Sequence, residues 1–484
     1  MPWRDINRAQ GWLMPPALEE LVEEDHPVRV VAAFVEALGP EQWAEMEISL
    51  LPQRMGAPAY HPRPLLALWL YGFMVGTRSS RGLERACREQ LPFIWLAGGL
   101  TPDHNTLWRF WQAHRDGLRR LLRLTVELAA ELGLVDWTLQ AVDGTKIQGD
   151  TSNRWTLDAE QLERLERRAT RRIEAIEQNQ QVGNAAAPLW TDELAECRKL
   201  QQHARGALDQ LRRSGQRYVS LVDADARLLR RSGGGHLTGY NAQAVAVRAG
   251  ASESESALML VAAEVTQSQV DSGELPRMVD AAHENGEAEM TVADAGYFTA
   301  DSLAAMRERG MPIAMPEPRP FEDHPFHWRH FRYDRVRDEY TCPEGERLVF
   351  RQVKYTRRTP ARLYGAEPEV CRACRQFGIC TTSEFHGRTI TVSEQSQALE
   401  AHRRWMRSRQ AEDALRKRPA LIEPVFAVIK ERQAGRRFLL RGLEAVQAEW
   451  SLLAVAFNLR ALSRYWLRLM RLLDSQGEFA AAPG

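Results

Sequence analysis

Apolar residues recur every three or four positions through the first quarter of the chain. HPVRVVAAFVEAL (26–38), PRPLLALWLYGFMVG (62–76) and SSRGLERACREQLPFIWL (79–96) all carry this spacing. It predicts amphipathic helices, because such residues fall on one face of a 3.6-residue turn. TPDHNTLWRFWQAHRDGLRRLLRLTVELAAELGL (101–134) continues the pattern after a Pro-Asp turn. Two short helices and a turn ahead of a longer one bearing Arg109, His114 and Arg115 suit a helix-turn-helix-like module, or simply a bundle. From residue 138 the period shortens. TLQAVDGTKI, YNAQAVAV, ALMLVAAEVT and EMTVADAGY are rich in Val, Ala and Thr and are broken by Gly and Ser, which reads as strands. DSLAAMRERG then reads as a helix ending at Gly310 and MPIAMPE as a fifth strand, so a crossover helix joins strands and the class is α/β.

Two segments interrupt this sheet pattern. Residues 156–214 alternate Leu and Ile with dense Glu/Arg pairs around NAAAP, the pattern of a charged antiparallel helical hairpin. Residues 320–395 hold four cysteines among short polar strands, and helical spacing returns from about 396. The expected organisation is a helical N-terminal domain over 1–136, a core built from 137–155, 215–319 and 396–470, the hairpin insertion at 156–214, the Cys-containing β insertion at 320–395, and a tail at 471–484.

At 484 residues, several domains are expected. Lys+Arg and Asp+Glu both number 64, so net charge selects no partner. Its distribution does: residues 401–470 hold 15 Lys/Arg against 6 Asp/Glu, which points to a polyanion or to a solvated Arg-rich surface. No apolar run approaches the length of a membrane span and no secretory leader is recognisable, so a cytoplasmic protein with no membrane partner is expected.

The two strand-like runs TLQAVDGTK and TVADAGY each lead into an aspartate, Asp143 and Asp294. A carboxylate beside a buried strand is costly unless paired, protonated or bound to a cation. Two carboxylates meeting at one point need a cation between them, and Mg²⁺ is the hard ion that carboxylates suit. Alternatively, each is a turn cap. A third acid, Glu423, lies seven residues before Lys430 in IEPVFAVIK, and the basic residues Arg436, Arg437 and Arg441 follow. Acid for metal and cations for phosphates are the ingredients of a phosphodiester site. Pro424 biases Glu423 towards a helix start or kink. Asn241 and Gln243 in GYNAQ read as structural hydrogen-bonding groups.

Taken together, VDGTK, GYNAQ, ADAGY, the E-x6-K segment with RRFLLRGLE and NLR, and the N-terminal YHPRPLLALWLYGFMVGTRSSRGLERA and LTPDHNTLWRF resemble a bacterial insertion-sequence DDE transposase. The resemblance covers nearly the whole chain. It implies a helical domain ahead of an RNase H-like core, with Asp143, Asp294 and Glu423 as catalytic acids holding two Mg²⁺ or Mn²⁺ ions. It implies DNA contacts from Lys146, Lys430, Arg436 and Arg437, with Arg109 in the helical segment. The partners implied are the double-stranded transposon ends and target, bound by a homodimer. Tyr297 either shapes the pocket or packs. The family often carries Tyr and Arg ahead of the glutamate, with the Arg four residues before it. Here position 419 is Pro, the arginine is Arg418, and position 416 is Arg. Two other readings stay open: a transposase-derived DNA-binding protein without activity, and a metal-dependent nuclease on the same core.

Cys342, Cys371, Cys374 and Cys380 have the ligand number of a closed structural zinc site, although a second CxxC is absent; the other reading is reduced thiols in a small β insertion. Cys87 and Cys197 are expected to be buried helix packing. His324, His327 and His330 fit no catalytic metal spacing.

Overall fold

A computed structural model describes residues 17–51, 59–181, 187–231, 233–250, 257–318, 324–356, 359–383 and 385–480. The first part of the NAAAP turn and the last four residues of the tail lie outside the described residues. The chain divides into two compact units: Met1–Val270, Ala281–Glu287 and Ala420–Gly484 form the first, Asp271–Asp280 and Ala288–Pro419 the second.

Among the described residues the first unit opens with a short 3-10 turn (Leu18–Leu21) and seven α-helices: α1 (Pro27–Ala37), α2 (Pro40–Glu45), α3 (Pro62–Val75), α4 (Ser80–Glu89), α5 (Leu91–Leu96), α6 (His104–Leu118) and α7 (Leu121–Glu131). Their starts follow from local chemistry. Proline occupies the first turn of α1, α2, α3 and α5, where its missing N–H costs nothing. Ser79 caps α4 by accepting from Gly82 N, and Asp103 caps α6 by accepting from Thr106 N. The stretch read as one helical repeat over 79–96 breaks at Gln90, extended and just ahead of Leu91-Pro92. Nearly every residue of α3 from Leu65 to Met74 is buried, so α3 is the centre of the helical layer.

Strand β1 (Val135–Gln148) comes next, then β2 (Thr156–Leu157), the hairpin α8 (Ala159–Gln181) and α9 (Ala187–Ser214), and the strands β3 (Val219–Ser220), β4 (Arg227–Arg230), β5 (His236–Ala249) and β6 (Ala257–Thr266). β5 pairs antiparallel with β1, β4 and β6, and its burial on both faces explains why YNAQAVAV is almost continuously apolar. The hairpin is antiparallel: Arg172–Glu193, Arg198–Glu177 and Arg205–Glu166 cross it, and Leu162, Ala207, Leu208 and Leu211 fill its base.

Helix α10 (Leu275–His283) leads to β7 (Thr291–Ala293), α11 (Ala300–Glu308) and β8 (Ile313–Ala314). β7 and β8 pair in parallel with α11 as their crossover, the connection expected from DSLAAMRERG. A separate antiparallel sheet follows, ordered β13-β12-β11-β10-β9, from β9 (Arg332–Asp334), β10 (Glu339–Thr341), β11 (Arg347–Thr356), β12 (Thr359–Gly365) and β13 (Thr389–Ser393), with α12 (Pro368–Ala373) before the last strand. Then come α13 (Glu394–Trp405), α14 (Arg409–Glu431) and α15 (Leu443–Ala480). Mixed helices and sheets with an all-helical start are therefore observed.

Helix α15 seals β6, which pairs with β5 alone among the described strands. Asn458 accepts from Leu260 N and donates to Leu260 O, both at 2.8 Å. Gln447 accepts from Val265 N at 2.6 Å and donates to Ala263 O at 2.9 Å. Eleven residues of helix rise about 16 Å, close to the run of strand between the two anchors, so two side-chain amides stand in for a neighbouring strand. No described helix is long and apolar enough to cross a membrane.

Candidate active site

Asp143 lies inside β1, opposite Ala244 of β5, and the strand continues to Gln148. The expectation of a strand ending at this aspartate is corrected: Gly144 and Thr145 stay in register because β5 pairs with every residue from Gln140 to Gln148. Asp143 is half-buried, and its Oδ1 accepts from Gly144 N at 2.8 Å. Thr145, two residues on and therefore on the same face, accepts a hydrogen bond from Lys430 Nζ. Burial of Lys430 pushes its ammonium below the usual lysine range, Arg436 adds to this, and the Asp143 carboxylate opposes it. The structure thus brings Lys430, which the resemblance assigns to DNA contact, onto the strand that bears Asp143.

Glu423 is exposed on α14, which runs unbroken from Arg409 to Glu431 through Pro419 and Pro424. The helix-start geometry expected from Pro424 is corrected. Proline removes an N–H, but Leu421, Ile422, Val425 and Ile429 are buried around it, and that packing outweighs the local penalty. Both Glu423 and Lys430 belong to the first unit.

Asp294 belongs to the second unit. It ends β7 and caps the short turn Ala295–Tyr297, accepting from Gly296 N at 2.7 Å. Tyr297 is fully buried and packs. Arg418, offset by one from the family position, still reaches Asp294, Nη2 to Oδ2 at 3.9 Å. A Cβ on Gly296 would lie 2.9 Å from Asp294 Oδ1 and 3.4 Å from Asp271 Oδ2, so a second carboxylate sits at this turn. Sequence reasoning missed Asp271, which no motif marks.

The basic segment after α14 is anchored to the end of β1. Phe438 N donates to Gln148 O at 2.8 Å, while Arg437 and Arg441 both hold Asp150, at 2.7 and 2.8 Å. Arg436 pairs with Glu431 and is exposed. Lys146 is half-buried on β1, and Arg109 is exposed on α6, whose Phe110 and Trp111 face inward. Asn241 and Gln243 are fully buried in β5, and Gln243 O accepts from Trp450 Nε1 at 2.9 Å.

Cys342, Cys371, Cys374 and Cys380 line one cavity of about 20 Å³ in the second unit. Backbone N–H groups of Glu346, Arg388 and Gln376 donate to the sulfurs of Cys342, Cys371 and Cys374 at 3.3, 3.2 and 3.5 Å. Burial pushes the Cys380 thiol up, opposed by Arg388 and reinforced by the other three thiols. Cys87 is buried as expected, whereas Cys197 is only half-buried, in the groove that α9 forms with Arg168 and Arg172 of α8. His324 and His327 cap turns, accepting from Phe326 N and Arg329 N.

Among the described residues, no three His, Cys, Asp or Glu side chains are arranged to hold a metal ion. The acids nevertheless suit Mg²⁺ as donors, being hard carboxylate oxygens with Glu423 exposed and Asp294 41% exposed. Residues 341–463 match the family described as a transposase DDE domain, and residues 16–113 match a transposase domain. These matches support an insertion-sequence DDE transposase, a class of enzyme that cuts and transfers DNA. The DDE match contains Glu423, Lys430 and all four clustered cysteines, and the N-terminal match contains Arg109. No curated protein matches the chain.

Proposed function

We propose that this transposase binds the terminal inverted repeats of a bacterial insertion sequence and catalyses metal-dependent strand cleavage and transfer, from an RNase H-like core. The observation that carries the reading is Lys430, on the helix that bears Glu423, lying beside Asp143 with an arginine-rich loop fastened to the same strand. Asp143, Asp294 and Glu423 would hold divalent cations, Mg²⁺ or Mn²⁺. When bound, such ions activate water or a 3′-hydroxyl and neutralise the leaving oxygen. Lys430 supplies a fixed cation for a phosphate near the cut, with its orientation set by Thr145. Arg418 orients Asp294. Lys146, Arg436, Arg437 and Arg109 contact the DNA backbone away from the reacting phosphate. Holding two element ends together calls for two copies of the chain on DNA.

The test is a linear duplex carrying the element's terminal repeats, incubated with Mg²⁺ and wild type, Asp143→Ala or Asp294→Ala, with gel-shift binding read on the same samples. Cutting and joining by wild type, with variants that bind without cutting, supports the reading. Cutting with no joined product leaves a nuclease. Binding by all three with no cutting, even in Mn²⁺, leaves a DNA-binding remnant.

The four-cysteine cavity is the place where a structural Zn²⁺ would bind once the sulfurs close around it, since as they stand no three of them are arranged to hold an ion; without that closure they are reduced thiols. Three of its sulfurs already receive backbone N–H groups, the contacts that favour thiolate. The core of this sheet is small, Phe331, Tyr340, Leu348, Tyr364, Ala366, Ile390 and Val392, and a cross-link at its edge would stabilise it.

A further inference from the structure

The loop joining α14 to α15 presents Arg432, Arg436, Arg437 and Arg441, all exposed, while Gln433, Gly435 and Phe438 between them are buried. Asp150 and Glu431 offset two of these four charges. Like charges this dense repel and favour opening, and beyond the single bridge to Gln148 and the Asp150 pairs no strand ladder holds the loop among the described residues. A buried ion pair holds it as well.

Arg78 follows the left-handed C-cap Gly76 of α3, and Glu449 lies on α15; their side chains are 3% and 2% exposed and meet at 2.6 Å. Arg78 Nη2 also donates to the carbonyl oxygens of Ala434 and Arg437, the latter at 2.8 Å. Glu449 accepts from Leu439 N with both oxygens at 3.0 Å and from Leu440 N at 3.1 Å. Each charge therefore directs its further hydrogen bonds to the backbone of this one loop. The far end is tied as well: Asp223 accepts from Gly442 N at 3.2 Å and Asp225 from Leu443 N at 3.0 Å.

Stability alone does not account for the pair, because a well-packed apolar pair of similar volume commonly serves a core as well or better. An apolar pair cannot grip a loop by two carbonyls and two amides. We propose that Arg78 and Glu449 are positioning residues that set the arginines of residues 432–442 as a preformed comb for the phosphates of DNA lying across the end of β1. The inference rests on the reading of the chain as a DNA-acting transposase. Preorganisation raises affinity here by removing the ordering cost of the loop at the moment of binding.

The experiment measures binding of a short fluorescein-labelled duplex of mixed sequence across a salt series, for wild type, Arg436→Ala, Glu449→Gln and Arg78→Lys. Glutamine keeps one acceptor for the loop but loses the charge; lysine keeps the charge but carries its donors on a single nitrogen, where Arg78 spreads them over two, Nη1 to Glu449 and Nη2 to the loop carbonyls. Arg436→Ala is expected to lower the slope of log K against log salt by about 1, as one phosphate contact is lost. Glu449→Gln and Arg78→Lys are expected to lower it by about 1 to 2 and to weaken binding roughly tenfold. Adding Arg436→Ala to Glu449→Gln should then change less than it does alone. A variant that only lowered the folded fraction would shift affinity equally at every salt and leave the slope alone. Unchanged slopes in both pair variants, with wild-type circular dichroism, overturn the inference. Should neither variant fold, hydrogen exchange on wild type decides it. Amides of Leu439 and Leu440 exchanging as slowly as buried helix support the clamp, and exchange at open-loop rates removes it. No binding by wild type removes the DNA reading itself, a different failure from binding with unchanged slopes.

Discussion

Replacing Asn458 with leucine isolates how the sheet that carries Asp143 is held against α15. Asn458 is fully buried and makes three hydrogen bonds, two to Leu260 and one to Thr125 Oγ1 at 3.0 Å. Thr125 keeps its bond to Leu122 O at 2.7 Å, so its hydroxyl still has a partner after the change. Leu260 N–H and C=O do not: among the described residues β6 has no further strand on that side, and Leu260 is itself fully buried. Two stranded backbone groups cost about 1–3 kcal/mol each, and the added apolar burial of leucine offsets about 1 kcal/mol, leaving a net loss of about 3 kcal/mol. Hydrogen exchange followed by mass spectrometry reads this locally and needs no two-state unfolding of a two-unit chain. A loss of about 3 kcal/mol speeds exchange of peptides spanning 257–266 roughly hundredfold, with smaller changes in the second unit. An acceleration below about threefold in that peptide would refute the idea that side-chain amides replace a strand at this edge.

Burial raises the Glu449 carboxyl to about 7, against the opposing pull of Arg78 and the amides of Leu439 and Leu440. The native state therefore binds the extra proton between the unfolded value near 4.5 and about 7, and this group's contribution is full below 4.5 and lost as pH rises through 7. Melting temperature against pH should accordingly fall more steeply from pH 5 to 7.5 in wild type than in Glu449→Gln; parallel curves would contradict it. A Cβ on Gly117 would lie 2.2 Å from Met46 O, so Gly117→Ala should destabilise by several kcal/mol, whereas Gly206→Ala on the open face of α9 should stabilise by about 0.5–1 kcal/mol. Thermal melts of the two variants compare them, and equal shifts would discredit the close approach of α6 to Met46. Purified protein should carry one equivalent of zinc by elemental analysis, and Cys374→Ser should remove it and lower the melting point; a metal-free wild type with four titratable thiols in this cluster would leave them as free cysteines.

Local patterns were enough to place the elements. Helical spacing with Pro and Ser/Asp starts marked the N-terminal helices, Val- and Ala-rich runs marked β1, β5, β6 and β7, and the Glu/Arg hairpin was legible from its repeat. These signals are local because capping and one-face burial depend on residues a turn or a strand apart. The motif residues Asp143, Asp294, Glu423 and Lys430 were also visible, since each stands in a string of unusual chemistry. Their surroundings were decided by packing. Asp143 stays within a strand because β5 pairs past it, and Glu423 stays within a helix because buried Leu421, Ile422 and Val425 outweigh two prolines. Arg78 and Glu449, 371 positions apart, carry no mark in the sequence at all. An arginine after a helix and a glutamate within one read as ordinary surface residues. Only the tertiary structure buries both against one loop, where desolvation leaves each charge no partner but the other and the backbone between them.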